Sequence, residues 1–372
     1  MLERKSRKNS KPAKKKKNKV KIASISLIII ILIGAGAYIY RKEMAVLAFD
    51  LFLSGQVEET LEKSYAPIEG DEPKPVVEAN QEIKPFSVLL LGVDQRENEP
   101  ARSDTMIYSI IRPIDSKVLL LSIPRDTYTE IVGRDKEDKI NHAYAFGGEK
   151  MAIDTVENFL GHDVGYYAAI NFEGLREVVD ALGGVELPIT KDIVNKEKAH
   201  EKFTIKANKP LYDGQEALNF VRYREDGADN RTKRHSVFLN AMVDRMLKLD
   251  QVGKIPELIS MLGNNFKTDM TPSFIIELSK QVLLNQRPEI NGFTIAAEGK
   301  RMHGIYYDIV KEDDLNYAKQ LIENWSNPNT KATELLNPLD RDKHEKNDET
   351  ELGNKTKSQK SQKSSTTSKT KS

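Results

Sequence analysis

The sequence predicts an α/β fold, a layered α/β/α sandwich around a central, mostly β core, preceded by one N-terminal transmembrane helix. Three features carry that expectation. Between residues 85 and 326, short apolar runs of strand length alternate with amphipathic helical stretches, the pattern of layered α/β domains. The runs FSVLLLGV, TMIYSII and KVLLLSI are apolar almost throughout, as strands covered on both faces are. Residues 22–40, IASISLIIIILIGAGAYIY, are 19 residues without a charge, close to the ~20 that span a bilayer.

Residues 1–21 form a basic segment, with eleven Lys and Arg against one acid. Residues 22–40 then read as a retained membrane anchor, because they are apolar on every face and longer than a usual signal core. A cleaved signal peptide is the competing reading, since Ala35, Gly36 and Ala37 are small. The flank before the run is strongly positive and the one after it weakly so. That asymmetry puts the N-terminus in the cytoplasm and the rest of the chain outside. Residues 41–84 read as a short helix over 44–64, then an extended, mobile linker rich in Pro and acids.

The body is expected over 85–326. After the three strands, 147–161 reads as a helix with Ala152, Val156 and Leu160 on one face;. YYAAINF reads as a strand, EGLREVVDALGG as a helix ended by Gly183 and Gly184, and VELPI as a further strand;. KRHSVFLNAMVDRMLKL is a helix whose stripe of Phe238, Met242, Met246 and Leu249 belongs to a core;. Helices at PELISMLGN, PSFIIELSKQVLL and EDDLNYAKQLIENW follow, with a strand at GFTIAA. Residues 327–372 become rich in Lys, Ser and Thr, with too few apolar side chains to fold, and are expected to be disordered;.

The chain of 372 residues has no cysteine, which excludes disulfides and thiolate metal sites. Its formal charge of +1 hides an asymmetry. Two basic ends flank a body of net charge about −12, which argues against a general nucleic-acid surface.

Four segments repeat one pattern, an apolar run ending in Arg and Asp. They are Asp94-Gln95-Arg96, Arg102-Ser103-Asp104-Thr105, the Pro124-Arg125-Asp126 of SIPRDTY, and VRYREDGADNRTKRH with Arg222, Arg224, Asp229, Arg231 and Arg234. If the strands lie side by side, these ends meet at one edge of the sheet, where open α/β sheets bind ligands. Several guanidinium groups around one cavity repel one another unless an anion sits between them, and Arg grips phosphate oxygens bidentately. Asp94 and Asp104 offer hard oxygen ligands to Mg²⁺ or Mn²⁺. Together these residues describe a pyrophosphate and its metal. If Arg222 and Arg224 lie on a strand, both point to one face, with Tyr223 on the other. Nucleotide P-loops, zinc-protease helices and hydrolase elbows are absent from the sequence;. His142, in KINHAYAFGG, reads as a turn residue rather than a base.

GVDQR, RSDTM, SIPRDTY, KINHAYAFGG, NFEGLREVVDALGGVEL and VRYRxxxxDNRTKRH, in this order, resemble the LytR-CpsA-Psr family, the cell-wall glycopolymer ligases of Gram-positive bacteria. The resemblance covers residues 85–250 in motif detail. It implies a sheet between helices that encloses an apolar tunnel for a polyprenyl chain. It also implies a phosphotransferase moving an anionic glycopolymer, of teichoic acid or capsule type, from an undecaprenyl-pyrophosphate carrier to peptidoglycan, at the C6 hydroxyl of N-acetylmuramic acid. By the same resemblance, Asp94 and Asp104 are metal-associated carboxylates. Arg96, Arg102, Arg125, Arg222, Arg224, Arg231 and Arg234 surround the pyrophosphate, and Asp94, Asp104, Arg125 and Arg222 carry catalysis. His235 and Ser236 depart from the family's usual glutamine, and the spacer between Asp229 and Arg231 is a residue shorter. Partners on this reading are the lipid-linked glycopolymer, peptidoglycan and the cytoplasmic membrane, with no nucleic acid. The rival readings are a membrane-anchored transcriptional regulator or attenuator, a wall-polymer binding protein without catalysis, and a pyrophosphatase in which water replaces the acceptor.

Overall fold

The computed structural model describes residues 54–94 (apart from 73, 76, 79 and 80), 101–196, 202–223, 225, 228–248 and 265–341, besides Val46, Leu47 and Asp50. The expected basic segment, membrane anchor and PELISMLGN helix lie outside the described residues, as do Arg96 and Arg224 and the side chains of Asp229 and Arg231. Among the described residues no helix is long and apolar enough to cross a membrane. The chain divides into two units, Met1–Phe52 and Leu53–Ser372. In the first, the three described residues are helical.

The second unit is built on a six-stranded mixed sheet. Its strands are β1 (Phe86–Asp94), β2 (Arg102–Arg112), β3 (Lys117–Ile123), β6 (Tyr166–Asn171), β9 (Phe266–Thr268) and β10 (Glu289–Thr294), in the order β10-β3-β2-β1-β6-β9. Strand β2 runs antiparallel to both of its neighbours, β1 and β3, while β1 with β6 and β3 with β10 are parallel. Alternate residues of the central strands point to opposite faces, and both faces are covered. On one, Leu89, Leu91, Tyr108, Ile110 and Leu121 pack under α2 (His142–Leu160) and α7 (Glu312–Ser326). On the other lie α3 (Phe172–Ala181), α4 (Gly214–Arg222) and α5 (Ala228–Met246), whose Val179, Ala217, Phe220 and Phe238 share a core of their own with Tyr212. The layered α/β/α architecture is therefore the one the sequence predicts.

Several elements differ from expectation. VELPI is no strand: only Val185 makes a bridge, to Tyr212, and Pro188 cannot donate to a ladder. The helix expected at 147 begins at His142, and its axis breaks at Gly147 and Gly148 (φ 62°). Two short hairpins carry too many charges to show strand periodicity, β4 (Tyr128–Ile131) with β5 (Lys136–Lys139), and β11 (Ala297–Met302) with β12 (Ile305–Val310). Strands β7 (Ile193–Asn195) and β8 (Phe203–Ile205) form a third pair.

The supposed linker packs on the body. Helix α1 (Ser54–Glu62) adjoins α6 (Pro272–Leu284), Tyr65 bridges to Thr268 of β9, and Lys74 pairs with the buried Asp269 at 3.3 Å. The tail beyond 326 also folds back. Arg112, only 3% exposed, donates to the carbonyls of Trp325, Asn327 and Thr330, and Trp325 Nε1 donates to Leu336 O at 2.9 Å. A few leucines and one buried guanidinium order residues 327–341 where composition alone predicts disorder. Residues 342–372 lie outside the described residues.

Candidate active site

The charged ends of β1, β2 and β3 lie together. Asp94, the last residue of β1, is the register partner of Arg102, the first of β2. Between them the ladder slips: Gly92 pairs with Thr105 and Val93 with Ser103, which makes Asp104 the extra residue of a bulge. Strict alternation from Met106, Tyr108 and Ile110 would turn Asp104 into the core under α2 and α7. The bulge re-aims it, and Asp104 instead lines a cavity on the opposite face. Gly92 permits the slip, because a Cβ there would stand 3.0 Å from Thr105 Cβ.

Strand β3 ends at Ile123, and Arg125 follows in the turn. Its Nη1 donates to Asp104 Oδ1 at 2.6 Å and its Nε to Asp126 Oδ2 at 3.4 Å. Lys139 Nζ reaches the other oxygen of Asp126 at 2.9 Å. Burial taken alone would lower the Arg125 pKa, but Asp104 and Asp126 outweigh it and hold the guanidinium above its ordinary value. Burial likewise opposes ionisation of Asp126, yet Lys139 and Arg125 hold its carboxyl below the usual aspartate range. This corner of the site stays charged at neutral pH.

The cavity, about 380 Å³, opens between the sheet and helices α3, α4 and α5. Its walls are apolar, with Leu90, Ile107 and Ala168 from the sheet and Val178, Leu218 and Met242 from the helices. The polar and charged groups on its lining are Asp104, Thr105, Asn171, Arg222 and His235. Asn171 caps α3 by accepting from Gly174 N at 2.8 Å and donates to Asn265 Oδ1 at 2.7 Å. Arg222 lies with its guanidinium carbon 4.5 Å from the Phe172 ring centroid, a cation–π contact.

Arg222 is not on a strand, as the two-residue spacing with Arg224 suggested. It ends helix α4, which starts in a capping box formed by Asp213 and Glu216;. Tyr223, in extended conformation, is the helix C-cap. Arg234 sits apart from the cavity lining. It is 7% exposed, donates to the Tyr223 carbonyl and lies 5.2 Å from the Tyr223 ring, so it holds the chain just after Arg222. Arg102 is exposed at the strand end. His142 begins α2, its Nδ1 3.1 Å from Asp138 Oδ1. The rim groups Asn171 and His235 were not assigned roles from sequence. Asn171 lies in the quoted NFEGLREVVDALGGVEL motif and His235 at the departure from the family pattern.

Asp94 and Asp104 are hard donors on neighbouring strand ends. Among the described residues no three His, Cys, Asp or Glu side chains gather to hold an ion. Two carboxylates suit a cation such as Mg²⁺, which keeps several waters and takes substrate phosphates as ligands. The donor set fits that kind of site rather than a closed protein cage.

A LytR_cpsA_psr family model matches residues 51–324. The polyisoprenyl-teichoic acid–peptidoglycan teichoic acid transferase TagU of Enterococcus faecalis is 33% identical over 293 residues, 76% of this chain and 93% of that protein. TagU of Bacillus subtilis is 34% identical over 243 residues, 64% and 78% of the two chains. Among solved structures, B. subtilis TagU superposes with a TM-score of 0.51 at 30% identity, covering 66% of this chain and 98% of that one. TagT bound to LIIa-WTA gives 0.54 at 25% identity, covering 70% and 99%. The match runs from residue 51 through α5 and beyond. The chain belongs to the LytR-CpsA-Psr family.

Proposed function

We propose that this protein transfers an anionic glycopolymer of teichoic acid type from a polyprenyl-pyrophosphate carrier to a peptidoglycan hydroxyl. One observation carries the reading: an apolar cavity whose lining includes Asp104 and Arg222, with Arg125 bonded to Asp104. A greasy chain with a charged head group needs that combination, whereas a DNA-binding surface does not. The names of the TagU relatives and of TagT bound to LIIa-WTA support the same substrate class.

In the proposed step the acceptor oxygen attacks the phosphorus that carries the glycopolymer. The bond to the bridging oxygen breaks, lipid monophosphate leaves, and a phosphodiester joins polymer to wall. The apolar walls hold the lipid and keep water from the phosphorus, which favours the acceptor over hydrolysis. Arg222 and Arg125 neutralise charge that builds on the phosphate oxygens, the main source of acceleration in such reactions. Asp94 and Asp104 would hold Mg²⁺ or Mn²⁺, which supplies Lewis-acid stabilisation of the same oxygens when bound. Asp94 or Asp104 takes the acceptor proton; Arg125, bonded to Asp104, keeps that carboxylate aimed. A membrane anchor at 22–40, with its basic flank on the cytoplasmic side, would hold this body outside the cell beside the lipid donor.

The test is a purified chain incubated with a polyprenyl-pyrophosphate-linked glycan, peptidoglycan oligomers and Mg²⁺, read by mass spectrometry. A phosphodiester product, lost in R222A and R125A and on chelation, is expected. Free phosphorylated glycan alone would make the protein a pyrophosphatase. Retained donor without turnover would leave a binding protein.

A further inference from the structure

The β11 and β12 hairpin reaches the main core through Val310 at its base, and the chemistry of its outer part is that of a surface that meets sugar. Its turn is His303 and Gly304, with φ of 50° and 82°, the two left-handed residues of a tight hairpin. Beside that turn Tyr306 is 42% exposed, although an exposed tyrosine ring is normally mobile. This one is held. Its ring crosses the hairpin to cover Gly299, where any Cβ would stand 2.7 Å from Tyr306 Cε2. Its hydroxyl donates to Asp308 Oδ1 at 2.8 Å, which pushes the phenol up to about 12 and keeps it neutral. A glycine with an aromatic laid over it leaves the other ring surface open and fixed.

The ring stands next to the proposed chemistry. The backbone N–H of Asp308 donates to Asp126 O at 2.8 Å, Thr127 bridges to Asp308, and the Asp126 carboxylate itself acts on the Tyr306 phenol. Asp126 is bonded to Arg125. On the same face of the hairpin, Arg301 is the register partner of Tyr306. It is exposed and makes no ion pair among the described residues.

We propose that this hairpin is the docking platform for the acceptor glycan strand, with Tyr306 stacking on an N-acetylated sugar and Arg301 meeting a stem-peptide carboxylate. The C–H face of a pyranose packs on a fixed aromatic ring, and ordering the ring in advance removes the entropy cost of binding. Arg301 supplies the positive charge that complements the acidic stem peptides, in a body that is otherwise acidic. The inference rests on the proposed transfer to peptidoglycan, and it places the acceptor beside Asp126 and Arg125.

Binding of soluble, undecorated glycan strands to the purified full chain tests it without turnover. Y306A is expected to weaken binding at least about tenfold and R301A several-fold, whereas Y306F, which keeps the ring, stays within about twofold. In the transfer assay Y306A should raise the acceptor KM and leave the donor KM unchanged. Wild-type protein that fails to bind glycan strands, or Y306A that binds them like wild type, overturns the platform. Glycan binding lost in Y306A but no phosphodiester formed by the wild type would leave the platform standing and sink the transferase reading instead.

Discussion

Arg125 Nη1 stands 2.6 Å from Asp104 Oδ1, joining the turn after β3 to the bulge of β2. Neither side chain is more than a quarter exposed, so the pair is poorly screened. Removing either partner leaves a partly desolvated charge. R125A and D104N are each expected to lower transfer at least about 100-fold. The double variant should be little worse than either single one, because the two act as a unit. Rates measured across that cycle check the expectation, and additive losses would show that the residues work independently.

Gly92 sets the aim of Asp104. G92A places a methyl 3.0 Å from Thr105 Cβ and 3.3 Å from its Oγ1, between two strands that cannot separate without losing ladder bonds. A loss of about 1–3 kcal/mol in stability follows from such overpacking. Activity should fall further than stability does, since the carboxylate is displaced. Urea unfolding and transfer rate, measured together on one preparation, separate the two effects.

The cavity gives a prediction of opposite character. Val178 points into it from α3, and V178W fills space that the fold does not need. Thermal stability should hold or rise while the KM for a long-chain lipid donor increases at least about tenfold. A donor analogue with a short, soluble tail should be used as well as before. Equal losses for both donors would mean that the cavity does not hold the chain.

Acid should loosen the corner around Asp126. Its carboxyl titrates below the ordinary aspartate value in the folded state because of Lys139 and Arg125, which outweigh burial. As pH falls, the unfolded chain therefore takes up this proton first. The stabilisation is complete above the unfolded pKa of about 3.9 and is lost as pH drops through the lower folded value. Melting temperatures of D126N and wild type should differ at pH 6 and converge towards pH 2. A constant gap across that range would contradict the assignment.

The returning C-terminal segment is structural. Arg112 donates to three backbone carbonyls from a buried position, and hydrogen bonds to a buried charged group are among the stronger ones. R112A should cost at least about 2 kcal/mol, and a chain ending at residue 326 should melt at lower temperature with Trp325 newly exposed. Tryptophan fluorescence of the shortened chain reports the latter directly.

Much of this protein is written locally. Runs such as KVLLLSI reproduce β3 residue for residue, and PSFIIELSKQVLL reproduces α6, because a buried face forces a period on its own segment. The Arg and Asp residues at the ends of those strands announce an anion site before any contact is known. What local pattern cannot state is the partner of each face. The spacing of Arg222 and Arg224 suggests a strand, but a helix started by the capping box of Asp213 and Glu216, helped by packing of Ala217 and Phe220, runs through Arg222. KEDK in β5 has no apolar signal because hairpin pairing, not burial, holds it. The segments 54–84 and 327–341 look like a linker and a tail because single side chains, Tyr65, Trp325 and Leu336, dock them through contacts that span long stretches of sequence.

The chain's own order of residues, then, decides the layers, the strand and helix types and the charge carried at each strand end, since burial and turn chemistry act over a few neighbours. Folding in three dimensions alone decides that a slipped register swings Asp104 out of the core, that Arg125 meets it there, and that a hollow remains behind them. Those outcomes depend on pairing between distant segments, where one residue of register reverses the direction in which a side chain points.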